Sequence, residues 1–138
     1  MRLAVIDGQG GGIGATIIKG IRQEIGQGVE VLALGTNSAA TSRMMKAGAN
    51  KGATGENAIV VTCQKVDMII GPIGIIMANS MMGEVTREMA AAVTTSGAQK
   101  LLLPLTQENV VVVGASTEPL PHLVQAAIRM VKEIFEDV

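Results

Sequence analysis

Aromatic side chains are almost absent from this sequence, which has no Trp, no Tyr and only Phe135. A catalytic tyrosine is therefore excluded, and the stacking of a base or flavin on an aromatic ring of the same chain is nearly excluded. Cysteine is equally scarce, since Cys63 is the only one. A disulfide within the chain is thus excluded, which is typical of a cytoplasmic protein. We expect Cys63 to be a core residue.

Strong charge and long apolar runs are also missing. The net charge is -1, so the composition gives no sign of a nucleic-acid partner or an anionic membrane. The longest apolar stretch, residues 68–82, is interrupted by Gly71, Pro72 and Gly74 and is shorter than the ~20 residues of a membrane helix. With one His and one Cys, the sequence has no metal-binding signature, and no leader peptide is recognisable.

Apolar residues, in contrast, are abundant for a chain of this size. The 138 residues suit a single domain, yet 48% are hydrophobic and the mean hydropathy is +0.41. Strands buried on both faces account for such a surplus, and so does an interface between subunits. A group of methionines, Met77, Met81, Met82 and Met89, is an adaptable apolar surface that suits a subunit interface or a lid as well as core packing. A homo-oligomer is therefore one expectation.

The hydrophobic pattern alternates between strand and helix periods. Strands are predicted at 3–6, 29–34, 68–70, 100–104 and 110–113. Helices are predicted at 13–25, 39–47, 56–65, 86–96 and 120–135. The β-branched run 59–62 leaves a strand open as an alternative inside the third helix, and 48–55 resembles a loop.

The last two strands decide the expected edge of the sheet. Only residues 105–109 separate them, whereas a parallel crossover needs a dozen residues or more. We therefore expect an antiparallel hairpin there. The alternation elsewhere predicts an α/β fold, specifically a Rossmann-like three-layer sandwich with a mostly parallel sheet and this antiparallel hairpin at its C-terminal edge.

A glycine-rich loop lies between the first strand and the first helix. It consists of Asp7, Gly8, Gln9, Gly10, Gly11, Gly12, Ile13 and Gly14. A helix start offers free backbone N–H groups and the positive end of the helix dipole, and glycines let a phosphate approach closely. The loop therefore predicts a site for an anionic ligand. The alternative is that the glycines only allow tight packing of the helix on the sheet.

Three motifs resemble this loop, and each lacks a partner. The dinucleotide fingerprint (Gly10, Gly12, Ala15) lacks an acidic residue after the second strand. The short-chain dehydrogenase turn (Gly8, Gly12, Ile13, Gly14) lacks the tyrosine of that family. A deviant P-loop over 10–16 lacks both lysines, since Gly10 and Ala15 stand in their places. A carboxylate at Asp7 repels a phosphate unless a cation such as Mg²⁺ bridges them.

Other polar groups follow the carboxyl ends of predicted strands, where α/β folds bind ligands. Thr36 and Asn37 are placed to contact a sugar, and Gly71 and Pro72 end the third strand. Loop 114–117 adds Ser116 and Thr117. Catalytic candidates are His122, the only histidine, Lys51, which lies in a second glycine-rich approach at 48–57, and Asp7. The alternatives are that His122 is a plain surface residue at a helix start and that the segment with Lys51 is only a capped turn.

The chain as a whole resembles a small bacterial family that is known only as a domain of unknown function. The residues that carry the resemblance are 4–14, 33–37, 46–50, 52–58, 69–74, 78–80 and 118–123. It implies a short stand-alone protein and no activity. Three hypotheses remain: a domain that binds a nucleotide, dinucleotide or other small anionic ligand, a non-catalytic oligomerising interaction protein, and an enzyme acting on a small anionic substrate.

Overall fold

The computed structural model describes residues 1–106, 108–115 and 118–136 and contains one five-stranded sheet. Its strands are β1 (Arg2–Asp7), β2 (Glu30–Gly35), β3 (Lys51–Thr54), β4 (Met68–Pro72) and β5 (Gln99–Leu103). They lie in the order β3-β2-β1-β4-β5, and every neighbouring pair is parallel. The strand order therefore reverses between β1 and β4, where the carboxyl ends of the strands leave room for a site.

Helices cover both faces of the sheet. They are α1 (Gly12–Glu24), α2 (Ser38–Lys46), α3 (Glu56–Thr62), α4 (Arg87–Thr95) and α5 (Leu120–Glu136), with a 3₁₀ turn at Ile73–Ile76. Side chains of α1, α2 and α5 share one core with the sheet, and those of α3 and α4 share the other. Asn37 and Thr86 cap α2 and α4 by accepting hydrogen bonds from Ala40 and Met89. These layers confirm the predicted α/β architecture.

The central strands are apolar on both faces, as a parallel sheet between two helical layers requires. In β1, Leu3 and Val5 pack toward α1 and α5, whereas Ala4 and Ile6 pack in the layer of α3 and α4. Cys63 belongs to that second layer and is 1% exposed. Burial raises the pKa of its thiol to about 11, so it is a core residue as expected.

The predicted antiparallel hairpin is wrong. β5 pairs in parallel with β4, and among the described residues Val110–Val113 belong to no strand. Pro104 follows the strand, and Leu105, Thr106 and Glu108 line the cavity at the carboxyl edge of the sheet. There the Glu108 carboxylate accepts a hydrogen bond from the Met81 amide at 2.9 Å, which holds this connection in place.

Residues 48–55 contain a strand that the sequence pattern did not reveal. β3 is four residues long, includes Gly52 and lies at the edge of the sheet, where it pairs only with β2. Its side chains are mostly exposed, so no apolar alternation marks it. The run 59–62 lies in α3, which resolves the helix-or-strand alternative in favour of the helix. No helix in the described part of the chain is long and apolar enough to span a bilayer.

Candidate functional site

A cavity of about 540 Å³ opens at the carboxyl edge of the sheet, beside the point where the strand order reverses. Its wall combines the β1–α1 loop, the end of β4, the connection after β5 and the start of α5. The lining residues are Asp7, Gln9, Ile13, Pro72, Gly74, Asn79, Met81, Met82, Leu105, Thr106, Glu108 and Leu120. Its described wall is thus largely apolar, with two carboxylates and no Lys, Arg or His.

Asp7, the last residue of β1, is the most buried polar group of this wall, with 4% exposure. Its Oδ1 accepts a hydrogen bond from the Gly8 amide at 2.8 Å, and its Oδ2 accepts one from the Gly14 amide at 2.7 Å. Burial raises the pKa of Asp7 against the lowering effect of these amide hydrogen bonds. Each carboxylate oxygen already accepts one hydrogen bond, which leaves fewer positions for the bridging cation expected at Asp7.

The glycine-rich loop does not present the row of free amides that the sequence predicts. Gly8 and Gly14 donate to Asp7, Gln9 donates to Glu84, and Gly11 donates to the Gly8 carbonyl. The acidic side chains of Asp7 and Glu84 thus take three of these donors, and a backbone carbonyl takes the fourth. The expectation of an open amide cradle therefore needs correction at these four positions.

Two amides of this loop, those of Gly10 and Gly12, have no hydrogen-bond partner among the described residues. Arg43 of α2 lies beside them, and its Nη1 atom donates to the Gly10 carbonyl at 3.4 Å. Sequence analysis missed this cation because it follows the loop by about thirty residues at an ordinary helical position. An anionic group at the outer side of the loop would therefore meet a guanidinium.

Glu84 lies on the side of the loop nearest β2. Its Oε1 accepts hydrogen bonds from the Gln9 amide at 2.8 Å, the Thr36 hydroxyl at 2.6 Å and the Asn37 side-chain amide at 2.9 Å. Burial acts to raise the pKa of Glu84, but the hydrogen bonds from Thr36, Gln9 and Asn37 outweigh it, so its pKa is lowered. Thr36 and Asn37 do lie beside the loop, as predicted, although their side-chain donors are hydrogen-bonded to the carboxylate of Glu84. No sequence motif marks Glu84.

The remaining predicted residues separate into two groups. Pro72 lines the cavity, whereas the backbone of Gly71 packs so closely on β1 that an added Cβ atom would lie 2.3 Å from the Ile6 carbonyl oxygen. Lys51 begins β3, at the amino end of the strand and away from the cavity. His122 is exposed and contacts Glu118 at 3.0 Å. Ser116 and Thr117 lie outside the described residues.

The methionine group also divides. Met81 and Met82 line the cavity, and Met82 is 96% exposed. Met89 of α4 is buried in the core that α3 and α4 share with the sheet. The part of this group that suits a lid is therefore the turn that carries Met81 and Met82. In the described ranges, no cluster of three or more His, Cys, Asp or Glu side chains is arranged to hold a metal ion.

Comparison with known proteins places the chain in a family. Residues 2–136 match the sequence model of DUF3842, a domain of unknown function. The chain belongs to this family. That description names no activity. No curated protein matches the sequence. The resemblance inferred from the sequence is thereby confirmed.

A solved structure shares the fold. It is the crystal structure of a dodecameric FMN-dependent UbiX-like decarboxylase from Escherichia coli O157:H7, with a TM-score of 0.53. The match covers 99% of this chain and 94% of that chain, at 15% sequence identity. At this identity the DUF3842 chain shares an architecture with the decarboxylase, and the likeness says nothing of shared residues.

Proposed function

We propose that this DUF3842 protein binds a small molecule in the cavity between the β1–α1 loop and the end of β4. The observation that carries the proposal is the cavity itself, whose volume of about 540 Å³ lies in the range of small-molecule sites. It is at the reversal of strand order, where open α/β sheets bind their ligands. The buried carboxylate of Asp7 supplies a polar group in an otherwise largely apolar wall.

A nucleotide or another phosphate-bearing molecule is the ligand class we favour. Its apolar or uncharged part fits a wall of Ile13, Pro72, Met81 and Leu105. Its phosphate fits the outer side of the loop, where Gly10 and Gly12, whose amides have no described partner, lie near the Arg43 guanidinium. FMN enters as a first probe because the decarboxylase of similar fold is FMN-dependent. The cavity carboxylates repel phosphate, so we do not place that group inside.

Ligand-induced thermal stabilisation tests the proposal, because a ligand that binds only the folded state raises the melting temperature. The panel is FMN, AMP, ATP, NAD⁺, NADP⁺ and coenzyme A. Ile13→Trp fills the cavity from α1 and should abolish the shift, whereas Lys19→Trp, on the exposed side of the same helix, should leave it intact. A shift that Ile13→Trp leaves unchanged would contradict binding in this cavity.

A second proposal, a homo-oligomer, is favoured by the valine run at 110–113. The four apolar side chains are 43%, 85%, 40% and 95% exposed, and the run ends in a turn in which the Ala115 amide donates to the Val112 carbonyl. Contiguous exposed apolar side chains of this kind are typical of an interface with another chain. The decarboxylase of similar fold is dodecameric. Asp7 alone of the three catalytic candidates lines the cavity, so an enzymatic role has less support than binding.

Light scattering tests the oligomer. The wild-type mass should be a multiple of the 14.2 kDa chain, and Val111→Lys with Val113→Lys should reduce it toward one chain. Val61→Lys, at a valine on α3 that is 41% exposed, is the matched control and should leave the mass unchanged. A wild-type protein that is already monomeric would contradict this second proposal.

A further inference from the structure

Three hydrogen-bond donors converge on a single oxygen atom, Oε1 of Glu84. They are the Gln9 amide, the Thr36 hydroxyl and the Asn37 side-chain amide, at 2.8, 2.6 and 2.9 Å. We call these three groups the donor trio. They come from two different strand ends, since Gln9 follows β1 and the other two follow β2. Donors from separate elements that meet at one point form an anion site.

Two members of the donor trio, Gln9 and Asn37, are held by contacts that do not involve Glu84. The Oδ1 atom of Asn37 caps α2 by accepting a hydrogen bond from the Ala40 amide at 2.9 Å. Its Nδ2 atom also donates to the Gln9 carbonyl at 2.9 Å. Both atoms of the side-chain amide are thus fixed, and Nδ2 is held toward Glu84. Removal of Glu84 should therefore leave these two donors in place.

The residue that fills the trio comes from a strained turn. Residues 79–84, which we call the cover segment, include Asn79, Met81 and Met82 with φ values of 69°, 56° and 56°. This left-handed conformation is unfavourable for residues other than glycine, above all for long side chains such as methionine. The same three residues line the cavity. The cover segment therefore links the trio to the cavity wall.

We infer that the donor trio is a binding site for an anionic oxygen of the ligand, a carboxylate or phosphate oxygen, which Glu84 fills from within the chain. Binding of the ligand's anionic group displaces Glu84 and moves the cover segment away from the β1–α1 loop. The inference rests on the proposed function, because Gln9 belongs to both the trio and the cavity wall, and Met81 of the same wall lies next to Thr36. It names a second anchoring point besides Gly10, Gly12 and Arg43.

Inorganic phosphate and acetate are suitable probes, because they need no contact with the cavity. We would titrate each into ¹⁵N-labelled protein at constant ionic strength, with chloride as the control anion, and follow the Gln9 amide and the Asn37 side-chain amide. In Glu84→Ala these signals should shift saturably, with affinity about tenfold or more above the wild type, because the tethered competitor is gone. Thr36→Val in the same background should reduce that affinity.

A dispersed spectrum of Glu84→Ala that shows no saturable shift would overturn the inference. If Glu84→Ala does not fold, Glu84→Gln keeps the size of the side chain and removes its charge. Its affinity for phosphate should lie above the wild type, and an affinity equal to the wild type would again overturn the inference. A thermal-shift panel without any hit contradicts the proposed cavity function alone, since the anion titration reads the trio directly.

Discussion

The Oδ2 atom of Asp7 lies 2.7 Å from the backbone nitrogen of Gly14, across the loop that joins β1 to α1. The carboxylate at the end of the strand thereby takes the place that a ligand phosphate has in related loops. The Gly14 amide in the first turn of α1 is thus satisfied from within the chain. Gly14 is also small enough for α1 to approach, since an added Cβ atom would lie 3.0 Å from the Cβ of Asp7.

Asp7 should make stability fall as pH rises through its own titration range. Its pKa is raised by burial, so the folded protein holds the proton more tightly than the unfolded chain. Its contribution to the free energy of unfolding is fully present below about pH 3.8 and is lost as pH rises through the raised pKa. The wild type minus Asp7→Asn difference, from urea unfolding at several pH values, should decrease with pH. A constant difference would show that Asp7 does not titrate as described.

Glu84 should have the opposite pH dependence. The pKa of its carboxyl is lowered, so its stabilising contribution is present above about pH 4.5 and is lost as pH falls through the lowered pKa. The difference in unfolding free energy between wild type and Glu84→Gln should therefore increase with pH over the acidic range. The same urea series measures it, and a difference that decreases with pH would contradict the hydrogen-bonded, ionised state of Glu84.

Gly71→Ala should destabilise the fold by roughly 3 kcal/mol, as an overpacked position in a rigid core does. The new Cβ atom would lie 2.3 Å from the carbonyl oxygen of Ile6, which is a backbone atom of the neighbouring strand and cannot turn away. Gly97→Ala is the matched control, since no described atom lies within 4 Å of its added Cβ. Thermal or urea unfolding compares the two. Equal stabilities would mean that β1 and β4 adjust freely at this point.

Arg43→Ala should weaken the binding of phosphate-bearing ligands by about tenfold, the loss of one charge-assisted contact. Lys46→Ala removes an equal charge from the exposed C-terminal end of the same helix and should have little effect. Calorimetric titration with a ligand from the thermal-shift panel measures both. If the two variants lose affinity equally, the phosphate is attracted only by the overall positive charge of α2 and does not contact Arg43.

Much of the architecture could be predicted because it depends on local pattern. β1, β2 and β4 are short apolar runs, and α5 carries an apolar stripe that ends up buried at Val124, Ala127, Ile128 and Val131. β3 was missed because an exposed edge strand with a glycine has no apolar alternation. The valine run was predicted as a strand on β-propensity, but a strand also needs a partner, which a local pattern cannot supply.

The candidate site was predictable only where its residues lie at or just after the carboxyl end of a predicted strand. The loop 7–14, Thr36, Asn37 and Pro72 do meet at the carboxyl edge of the sheet, as strand order requires. Glu84, Glu108 and Arg43 complete the electrostatics from distant segments that carry no motif. Glu84 and Asp7 together correct the main expectation, because their carboxylates accept hydrogen bonds from three loop amides, those of Gly8, Gln9 and Gly14, that were expected to be free for a ligand.

The reactivity of the single thiol can measure how often one half of the molecule opens. Cys63, at the end of α3, is buried in the core between the sheet and helices α3 and α4. Its high pKa keeps the thiol protonated at neutral pH. A thiol reagent can therefore react only during excursions that lift this layer from the sheet. Labelling rates in native buffer would time those excursions without an engineered probe, and a bound ligand that holds the layer down would slow them.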